Sequence, residues 1–483
     1  MSFYPHRTAR PSFSLLSLAF AFCPGARFSG LLDPAFFQGI ADKHAVHFGQ
    51  GDEDTYCPAV TLWTWLGQVL RPVASCIDAV SRLVALGFRL GHAISSDSGA
   101  FCKARAKLPE PFLRELVVEL GKRIEARTPA HWKWRGRNVK VADGALLQVA
   151  DTEANLQQFP QQRRQKKGLS STTLRVVVLF TLATAALREA AYGPYRGKGS
   201  GEMSLLLQIF DAIDKGDILL GDRYYGSYLL LAMLQQRQAD GCFRLPVSRQ
   251  KDFHGGQSLG QDDYLQSWEK PCRPRTVDKP TWDALPDQIT VRVLRVAVKQ
   301  PGFRCKEVYL VTTMTDAAAA SQEDIGGLYF GRWNAEVDIR SLKQGLGLAQ
   351  LSCQTPEMVR KELWVHLLGY NLARCAMAQA AYDEGLKPRQ LSFSGAVQTL
   401  DAFGPQLSLG VQDAQQARAA ISKAMARHRV GKRPGRSEPR EVKRRARKYK
   451  EMKKPRRQRR EELKQEQGQA KDKGRGKGRP SGR

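Results

Sequence analysis

Four residues late in the chain combine the side-chain types that a phosphoryl-transfer site requires. Tyr329, Arg332, Glu336 and Lys343 lie in the segment LYFGRWNAEVDIRSLKQGLGL, at offsets 0, 3, 7 and 14. On an ideal α-helix these offsets fall at about 0°, 300°, 340° and 320°, which predicts one narrow stripe. A carboxylate flanked by two cations and a phenol suits a site that handles a metal ion and a phosphate backbone together.

A plainer interpretation of the same four residues stays open at this point. Arg332 and Glu336 are spaced as an i,i+4 pair, and so are Glu336 and Arg340. Such pairs are common on solvated helix faces, where each stabilises the helix by roughly 0.2–0.5 kcal/mol. The stripe alone therefore does not separate an active site from a charged surface.

Two upstream aspartates could complete a metal site with Glu336. Asp143 lies in a strand-like segment, NVKVADGALLQVA, and Asp222 follows the short apolar run ILLG. Two-metal phosphoryl transfer needs carboxylates that converge on divalent ions, and Mg²⁺ and Mn²⁺ favour such oxygen ligands. Each aspartate also has a structural alternative, namely a turn for Asp143 and an ion pair or helix N-cap for Asp222. The rival acids are Asp151, Asp211 and Asp217.

The pattern of apolar residues predicts a mixed α/β core that carries these acids. Strands are expected at 138–150, 174–185, 187–197 and 218–221, with helices at 200–213 and after 226. The predicted division of the whole chain is an N-terminal extension (1–30), a helical N-terminal domain that could contact DNA (31–135), the first part of the core (136–245), a β-rich insertion (246–316), the second part of the core (317–390), a helical segment (391–426) and a basic tail (427–483).

The charge of the chain favours a polyanionic partner. The net charge is +29, from 76 Lys and Arg against 47 Asp and Glu. The tail from Arg427 to Arg483 holds 25 basic and 7 acidic residues, a net of +18, which leaves +11 for residues 1–426. A tail of this composition is expected to be disordered alone and to bind a phosphate backbone without sequence specificity. The basic stretches 163–168 and 195–199 are predicted either to line a DNA path or to be solvated loops.

The cysteines and the N-terminus favour a reducing cytoplasmic location. The nine cysteines are scattered, with no CxxC or CxxH pattern for zinc. No apolar run approaches the roughly 18 residues that span a bilayer. The segment SLLSLAFAFCPGA loosely resembles a signal peptide, but it is short and interrupted by Pro24, so export is not expected. A start codon placed too far upstream would also account for it.

These motifs together resemble the RNase H-like DDE transposases of bacterial insertion sequences, in particular the fourth insertion-sequence family. The family signature Y-x2-R-x3-E-x6-K is matched in full from Tyr329 to Lys343. The dipeptide Asp143-Gly144 and the run Asp222-Arg223-Tyr224-Tyr225 are similar to the surroundings of the two family aspartates. The resemblance spans roughly residues 55–440.

The resemblance implies an RNase H-like core, interrupted by the β-rich insertion, and a role for each matched residue. Asp143, Asp222 and Glu336 would be the catalytic residues and would hold two Mg²⁺ or Mn²⁺ ions. Tyr329, Arg332 and Lys343 would contact phosphates of double-stranded DNA, at the terminal inverted repeats and the target. Members of the family also stack a flipped base on an aromatic residue, for which Trp268 and Trp282 are candidates; the alternative is that each belongs to the core. A homodimer on DNA, at the bacterial nucleoid, is also implied.

Two other functions remain open from the sequence. A hydrolytic nuclease of the same fold would cleave DNA without joining it. A non-catalytic, domesticated copy would bind DNA and do no chemistry.

Overall fold

The computed structural model describes residues 27–28, 31, 33–51, 54–71, 75–89, 91–161, 171–298, 306–408, 414–431, 453–454 and 458–466. Nearly all of the N-terminal extension, the basic stretch 163–168 and most of the basic tail therefore lie outside the described residues. The cysteines that the structure describes are all free. Among the described helices, none has the length and apolar character that a membrane span needs.

In the described part of the chain, five α-helices precede the sheet, as the spacing of apolar residues predicts. They begin where a capping residue or a proline favours a helix start: Asp33 accepts a hydrogen bond from the Phe36 backbone, and Asp97 accepts one from Gly99. The helices are α1 (Pro34–Lys43), α2 (Pro58–Val69), α3 (Cys76–Arg89), α4 (Ser98–Lys107) and α5 (Glu110–Arg127). The last of them packs its apolar side against the sheet and against a long C-terminal helix.

The first five strands have the topology of an RNase H-like fold. They are β1 (Val139–Val149), β2 (Thr173–Thr181), β3 (Leu187–Pro194), β4 (Ile218–Gly221) and β5 (Asp240–Arg244), in the order β3-β2-β1-β4-β5. The first three strands are antiparallel neighbours, whereas β4 is parallel to both β1 and β5. The helices between them are α6 (Glu153–Gln158), α7 (Glu202–Gln208) and α8 (Tyr228–Gln236).

The predicted second strand was too long. The sequence pattern favours a strand to residue 185, but β2 ends at Thr181 and the chain then turns. Ala185 adopts a positive φ of 62° in this turn, and its amide donates to the Thr181 carbonyl. The apolar character of the segment reflects the burial of the turn, which a count of apolar residues does not distinguish from a strand.

The β-rich region after Arg244 extends the same sheet. Its strands are β6 (Gln257–Gly260), β7 (Asp263–Glu269), β8 (Gln288–Ala297) and β9 (Glu307–Thr312), with short helices α9 (Val247–Gln250) and α10 (Lys279–Asp283) between them. Strand β9 pairs antiparallel with β5, and the order continues β9-β8-β7-β6. The insertion therefore continues the hydrogen-bonded ladder of the core, instead of forming a sheet of its own.

Further helices follow β9 in the described residues between 322 and 427. They are α11 (Gln322–Phe330), α12 (Trp333–Arg340), α13 (Pro356–Asp383), α14 (Phe393–Ser408) and α15 (Ala414–Arg427), and a two-residue strand β10 (Gln350–Leu351) pairs with the end of β1. Helix α13 is buried along almost its whole length and packs against α2, α5 and α15.

The sheet separates two hydrophobic cores. Val176, Val178 and Phe180 of β2 face the core that contains α5 and α13, whereas Val177 and Leu179 face the core that contains α7 and α8. This alternation with a period of two residues is the geometry of a strand that is covered on both faces.

A buried network of charged groups ties α5 to the sheet. Lys140 of β1 is completely buried and contacts Asp217 and Asp214, just before β4, and Glu125 of α5. Arg188 of β3 is also buried and donates to Glu125 at 2.7 Å. The network therefore fixes β1, the strand that carries Asp143, against the start of β4 and against α5.

Replacing Lys140 with Met should destabilise the protein strongly. The substitution leaves the carboxylates of Asp217 and Glu125 buried without their common partner, a change that typically costs about 3–5 kcal/mol. Lys122 is the control, because its ion pair with Glu119 is half exposed and Lys122→Met should cost less than about 1 kcal/mol. Urea unfolding of the two variants measures the difference, and equal midpoints would show that the network contributes little.

Candidate active site

The pairing of β1 with β4 brings Asp143 and Asp222 to the same place in the sheet. Val141 pairs in parallel with Leu220, and each aspartate lies two residues further along its strand. The β1–β4 ladder ends at this pair. Beyond this pair, β1 has no strand partner on the β4 side until Gln148 pairs with β10, and we call this unpaired stretch beside the two aspartates the gap.

Glu336 approaches the same point from α12, which packs against β1. Burial raises the pKa of Asp143 to about 6, and the negative charges of Asp222 and Glu336 contribute to the rise. The Gly144 amide, which donates to Asp143 at 2.9 Å, and the Arg332 guanidinium act in the opposite direction. The three carboxylates predicted from the sequence are therefore electrostatic neighbours in the structure.

The prediction that the four signature residues share one regular helix is wrong. Helix α11 ends at Phe330, and α12 begins at Trp333 after a turn whose hydrogen bonds join residues three apart, such as Arg332 to Tyr329. Lys343 lies in a π-helical turn, Ser341–Gly345. The first irregularity is wound more tightly than an α-helix and the second more loosely, so the angles of an ideal helix do not apply.

Arg332 and Tyr329 form the buried part of the signature. Arg332 is 9% exposed, lies next to the first residue of α12 and contacts Glu336 at 3.2 Å between Nη2 and Oε1. Tyr329 is only 1% exposed, and burial raises its pKa to about 12 despite the nearby Arg332 and Arg244. A direct contact of Tyr329 with a DNA phosphate stays a prediction, because its ring is buried in this structure.

Lys343 and the neighbouring Asp338 attach the signature segment to the rest of the fold. The Lys343 ammonium donates to the Leu146 carbonyl of β1 at 2.9 Å. Asp338 is 1% exposed and binds Arg374 of α13 and Arg389, each at 2.9 Å. Glu336 therefore projects from a helix whose opposite side is held by buried ion pairs.

The two tryptophans considered for base stacking lie in the core. Trp268 is 2% exposed, its indole N–H donates to Gln266 at 3.0 Å, and Arg249 lies over its ring. Trp282 is 6% exposed and belongs to the same hydrophobic core. Neither indole offers a free face in this structure, which favours the alternative that both are core residues.

The rival acids have other surroundings. Asp217 belongs to the buried network around Lys140, and Asp211 is an exposed partner of Arg237 at 2.6 Å. Asp151 is exposed and accepts a hydrogen bond from Thr172. None of these three acids is among the groups that shift the pKa of Asp143.

Sequence reasoning missed two polar residues next to the aspartates, Glu202 and Tyr225. Burial raises the pKa of the Glu202 carboxyl, and Asp222 raises it further against the opposing charge of Arg175. Burial also raises the pKa of Tyr225, together with the charges of Glu202, Asp143 and Asp222. Neither residue belongs to the four-residue signature. Tyr225 lies in the run that follows Asp222, but the sequence assigned no role at the site to it or to Glu202.

The donor set suits a hard divalent cation, although the carboxylates are not drawn together here. Asp143, Asp222 and Glu336 offer only oxygen ligands, the type that Mg²⁺ and Mn²⁺ prefer. Within the described part of the chain, no three His, Cys, Asp or Glu side chains are close enough to enclose a metal ion. Glu336 is instead turned towards Arg332. A bound ion would have to compete with this ion pair for the carboxylate.

Comparison with known proteins agrees with the class that the topology and the acids define. Residues 134–372 match the family model of the transposase DDE domain. The chain is 28% identical over 298 residues to the transposase InsG for insertion sequence element IS4 of Escherichia coli (strain K12). Over residues 134–372 the chain is therefore similar to the DDE domain of transposases, and the IS4 transposase is one relative that it resembles.

The extent of these matches differs. The alignment with the IS4 transposase covers 61% of this chain and 64% of that protein, less than two thirds of the relative's length. A cryo-EM structure of the piggyBac transposase synaptic complex with hairpin DNA aligns over 90% of this chain and 89% of that chain, with a TM-score of 0.40 and 13% identity.

Replacing Asp143 with Asn should stabilise the metal-free protein at alkaline pH. The folded state raises the pKa of Asp143 from 3.8 to about 6, so the folded protein binds this proton more tightly than the unfolded chain does. Stability is therefore lost as the pH rises from about 4 to 6, by up to about 3 kcal/mol, and Asn removes that loss. Unfolding in EDTA should show the gain at pH 8 and little of it near pH 4.

Asp151→Asn is the control for this experiment, because Asp151 is exposed and its amide replacement can still accept the Thr172 hydrogen bond. This variant should follow the wild type at both pH values. An Asp143→Asn protein that is less stable than the wild type at pH 8 would contradict the assigned cause.

Proposed function

We propose that the protein is the transposase of an insertion sequence, which binds the terminal inverted repeats of its element and catalyses metal-dependent cleavage and joining of DNA strands. The observation that carries the proposal is the placement of Asp143 and Asp222 side by side just beyond the β1–β4 ladder, where burial, together with the charges of Asp222 and Glu336, raises the pKa of Asp143. A structural ion pair does not explain this group, because Arg332, which faces both Asp143 and Glu336, carries one positive charge against these two carboxylates. The DDE family match of the same region supports the proposal.

The three carboxylates would hold two Mg²⁺ or Mn²⁺ ions. When bound, these ions would activate water or a DNA 3′-hydroxyl as the nucleophile and stabilise the leaving 3′-oxygen. Asp143 and Asp222 are fixed by their strands, so they would provide the rigid half of the site. Glu336 is about half exposed and bound to Arg332, so it would be the ligand that moves.

Arg332 and Lys343 would bind the DNA phosphates that flank the reacting strand. The planar guanidinium suits a two-point contact with a phosphate, whereas the ammonium of Lys343 acts as a point charge. Release of Glu336 to a metal ion would leave Arg332 without its carboxylate partner, and a phosphate oxygen would replace it. Tyr329, buried beside Arg332, would orient the guanidinium for this exchange.

The partners follow from the same proposal. Double-stranded DNA, at the inverted repeats and at the target, would be the substrate, and a homodimer would hold two element ends together. The site of action would be the cytoplasmic nucleoid. The exposed segment 197–199 and the basic tail would add contacts to the phosphate backbone, a role that their positive charge supports.

A cleavage assay tests the proposed chemistry. The full-length protein should nick a duplex with the inverted repeat that flanks its gene, in Mg²⁺, and join the freed 3′ end to target DNA. Asp222→Asn and Glu336→Gln should each lower the rate at least about a thousandfold, because several kcal/mol of transition-state stabilisation are removed. Asp211→Asn, which changes an exposed rival acid, should cleave like the wild type.

The other functions predict different outcomes in the same assay. Cleavage without a joined product would identify a hydrolytic nuclease. Specific binding of the repeat that Glu336→Gln leaves unchanged, with no cleavage by any form, would identify a non-catalytic DNA-binding protein.

Salt dependence tests the contribution of the tail to DNA binding. A chain that ends at Gly431 keeps the contacts of Arg429 and Val430 with residues 390–391, so the described contacts of residues 27–431 are retained. Each phosphate neutralised contributes about −0.9 to the slope of log affinity against log salt concentration. The truncated protein should therefore show a shallower slope by several such contributions on duplex DNA of any sequence.

A full-length control separates charge from length. Replacing the Lys and Arg residues after Gly431 with Gln should reproduce the shallow slope. A tail that does not contact phosphates would leave the slope the same in all three proteins.

A further inference from the structure

Glu202 lies against the backbone of the residue that follows Asp143. It is the first residue of α7 and is half buried. A methyl group added to Gly144 would come within 2.7 Å of the Glu202 carboxyl carbon and 2.9 and 3.0 Å of its two oxygens. The carboxylate therefore occupies the space that any side chain at position 144 would fill, and glycine is what permits the approach.

Glu202 reaches the site from the opposite face of the sheet to Glu336. Met203 and Leu206, its neighbours on α7, belong to the core that contains α7 and α8. Ala335, beside Glu336, belongs to the core on the other face, which contains α5 and α13. An intact sheet would separate the two carboxylates. The β1–β4 ladder ends at Val141, however, so the gap beside Asp143 and Asp222 is open to both faces. The effect of Asp222 on the pKa values of both Asp143 and Glu202 agrees with this arrangement.

The Glu202 carboxylate has no partner of its own in the described residues. The structure shows neither a hydrogen bond nor an ion pair to it; the nearby Arg175 donates instead to the Ser200 carbonyl at 2.7 Å. A half-buried carboxylate without such a partner is unfavourable, because burial removes water from its charge and Asp222 repels it. A cation in the gap would offset both the burial and the repulsion between the two acids.

The hydroxyl of Tyr225 is an independent sign of a missing polar ligand. Tyr225 is 1% exposed, and its ring packs on Gly221 at the end of β4. Among the described residues, its buried hydroxyl oxygen has no hydrogen-bond partner, and it lies close enough to Glu202, Asp143 and Asp222 for their charges to raise its pKa further than burial alone does. Leaving a buried hydroxyl unpaired costs about 1–3 kcal/mol. Mg²⁺ usually keeps several of its waters, and such a water would pair with the hydroxyl.

We propose that Glu202 is a fourth carboxylate ligand of the divalent-ion site, and that the Tyr225 hydroxyl binds a water molecule of the hydrated ion. This inference rests on the proposed function, because it concerns the same site. It assigns each face of the sheet one glutamate: Glu336 enters from α12 and Glu202 from α7. Only Asp143 and Asp222 come from the strands between them.

Direct measurement of metal binding tests the role of Glu202 without relying on catalysis. Mn²⁺ is titrated into the full-length protein, and free Mn²⁺ is followed by its electron paramagnetic resonance signal. Glu202→Gln keeps the size of the side chain and should weaken Mn²⁺ binding by at least about tenfold, the lower end of what loss of a group that supports a metal site causes.

Glu153→Gln is the matched control. Glu153 is also the first residue of a helix, α6, but it is exposed and is not among the charges that affect the pKa of Asp143, Glu202 or Tyr225. Its favourable interaction with the helix dipole is the ordinary reason for a glutamate at this position. This variant should bind Mn²⁺ like the wild type. Circular dichroism and thermal unfolding confirm that each variant is folded.

Two further variants address the geometry. Gly144→Ala should weaken Mn²⁺ binding as Glu202→Gln does, because the new methyl group displaces the carboxylate. Tyr225→Phe keeps the ring on Gly221 and removes only the hydroxyl, so it should weaken binding by a smaller factor.

The outcomes separate this proposal from the proposed function. If Asp222→Asn weakens Mn²⁺ binding and Glu202→Gln does not, Glu202 is a structural acid and the fourth-ligand proposal is overturned, while the transposase assignment stands. If the wild type cleaves DNA and Glu202→Gln loses cleavage with unchanged Mn²⁺ affinity, the proposal is also overturned. A wild type that binds no Mn²⁺ would refute both proposals.

Discussion

The parallel pairing of β1 with β4 is the contact on which the candidate site depends. It aligns Asp143 with Asp222, and its early end leaves a gap beside them. Neither strand could move without disturbing the network around Lys140, which joins β1 to Asp217 at the start of β4. The buried ions that hold the strands together and the acids that repel one another thus lie at opposite ends of the same short pairing.

The acids that repel one another are placed where the surrounding structure resists their separation. Burial alone makes the charged form of Asp143 unfavourable, and the neighbouring carboxylates add to this. Helix α12 is held by the buried Asp338, which contacts cations from α13 and from the segment before α14. Functional sites commonly retain such unfavourable interactions, and the rest of the fold offsets them. Here the offset comes from buried ion pairs within a few residues of the acids they position.

The sequence predicted the parts of the site that local patterns control. Asp143 within a strand, Asp222 at the end of a buried strand and Glu336 on a helix all follow from the periodicity of apolar residues, and the structure has them there. The regular helix from Tyr329 to Lys343 was wrong because the helical spacing was followed through both irregular turns, although Gly331 at the first of them was a local sign of a break. They are set by tertiary contacts, such as Lys343 with the Leu146 carbonyl, which sequence periodicity does not contain.

Glu202 and Tyr225 are a second case in which tertiary contacts, which the sequence pattern does not contain, bring residues to the site. A glutamate at the first position of a helix is ordinary, and the sequence offers no reason to connect it with Asp143, 59 positions earlier. The connection arises because β1 and β4 separate and because Gly144 has no side chain. A glycine after a candidate catalytic aspartate indicates a turn in the sequence. In the folded protein the lack of a side chain at position 144 leaves room for the Glu202 carboxyl group, which a Cβ there would meet within 3.0 Å, so the identity of residue 144 bears directly on where that carboxylate lies.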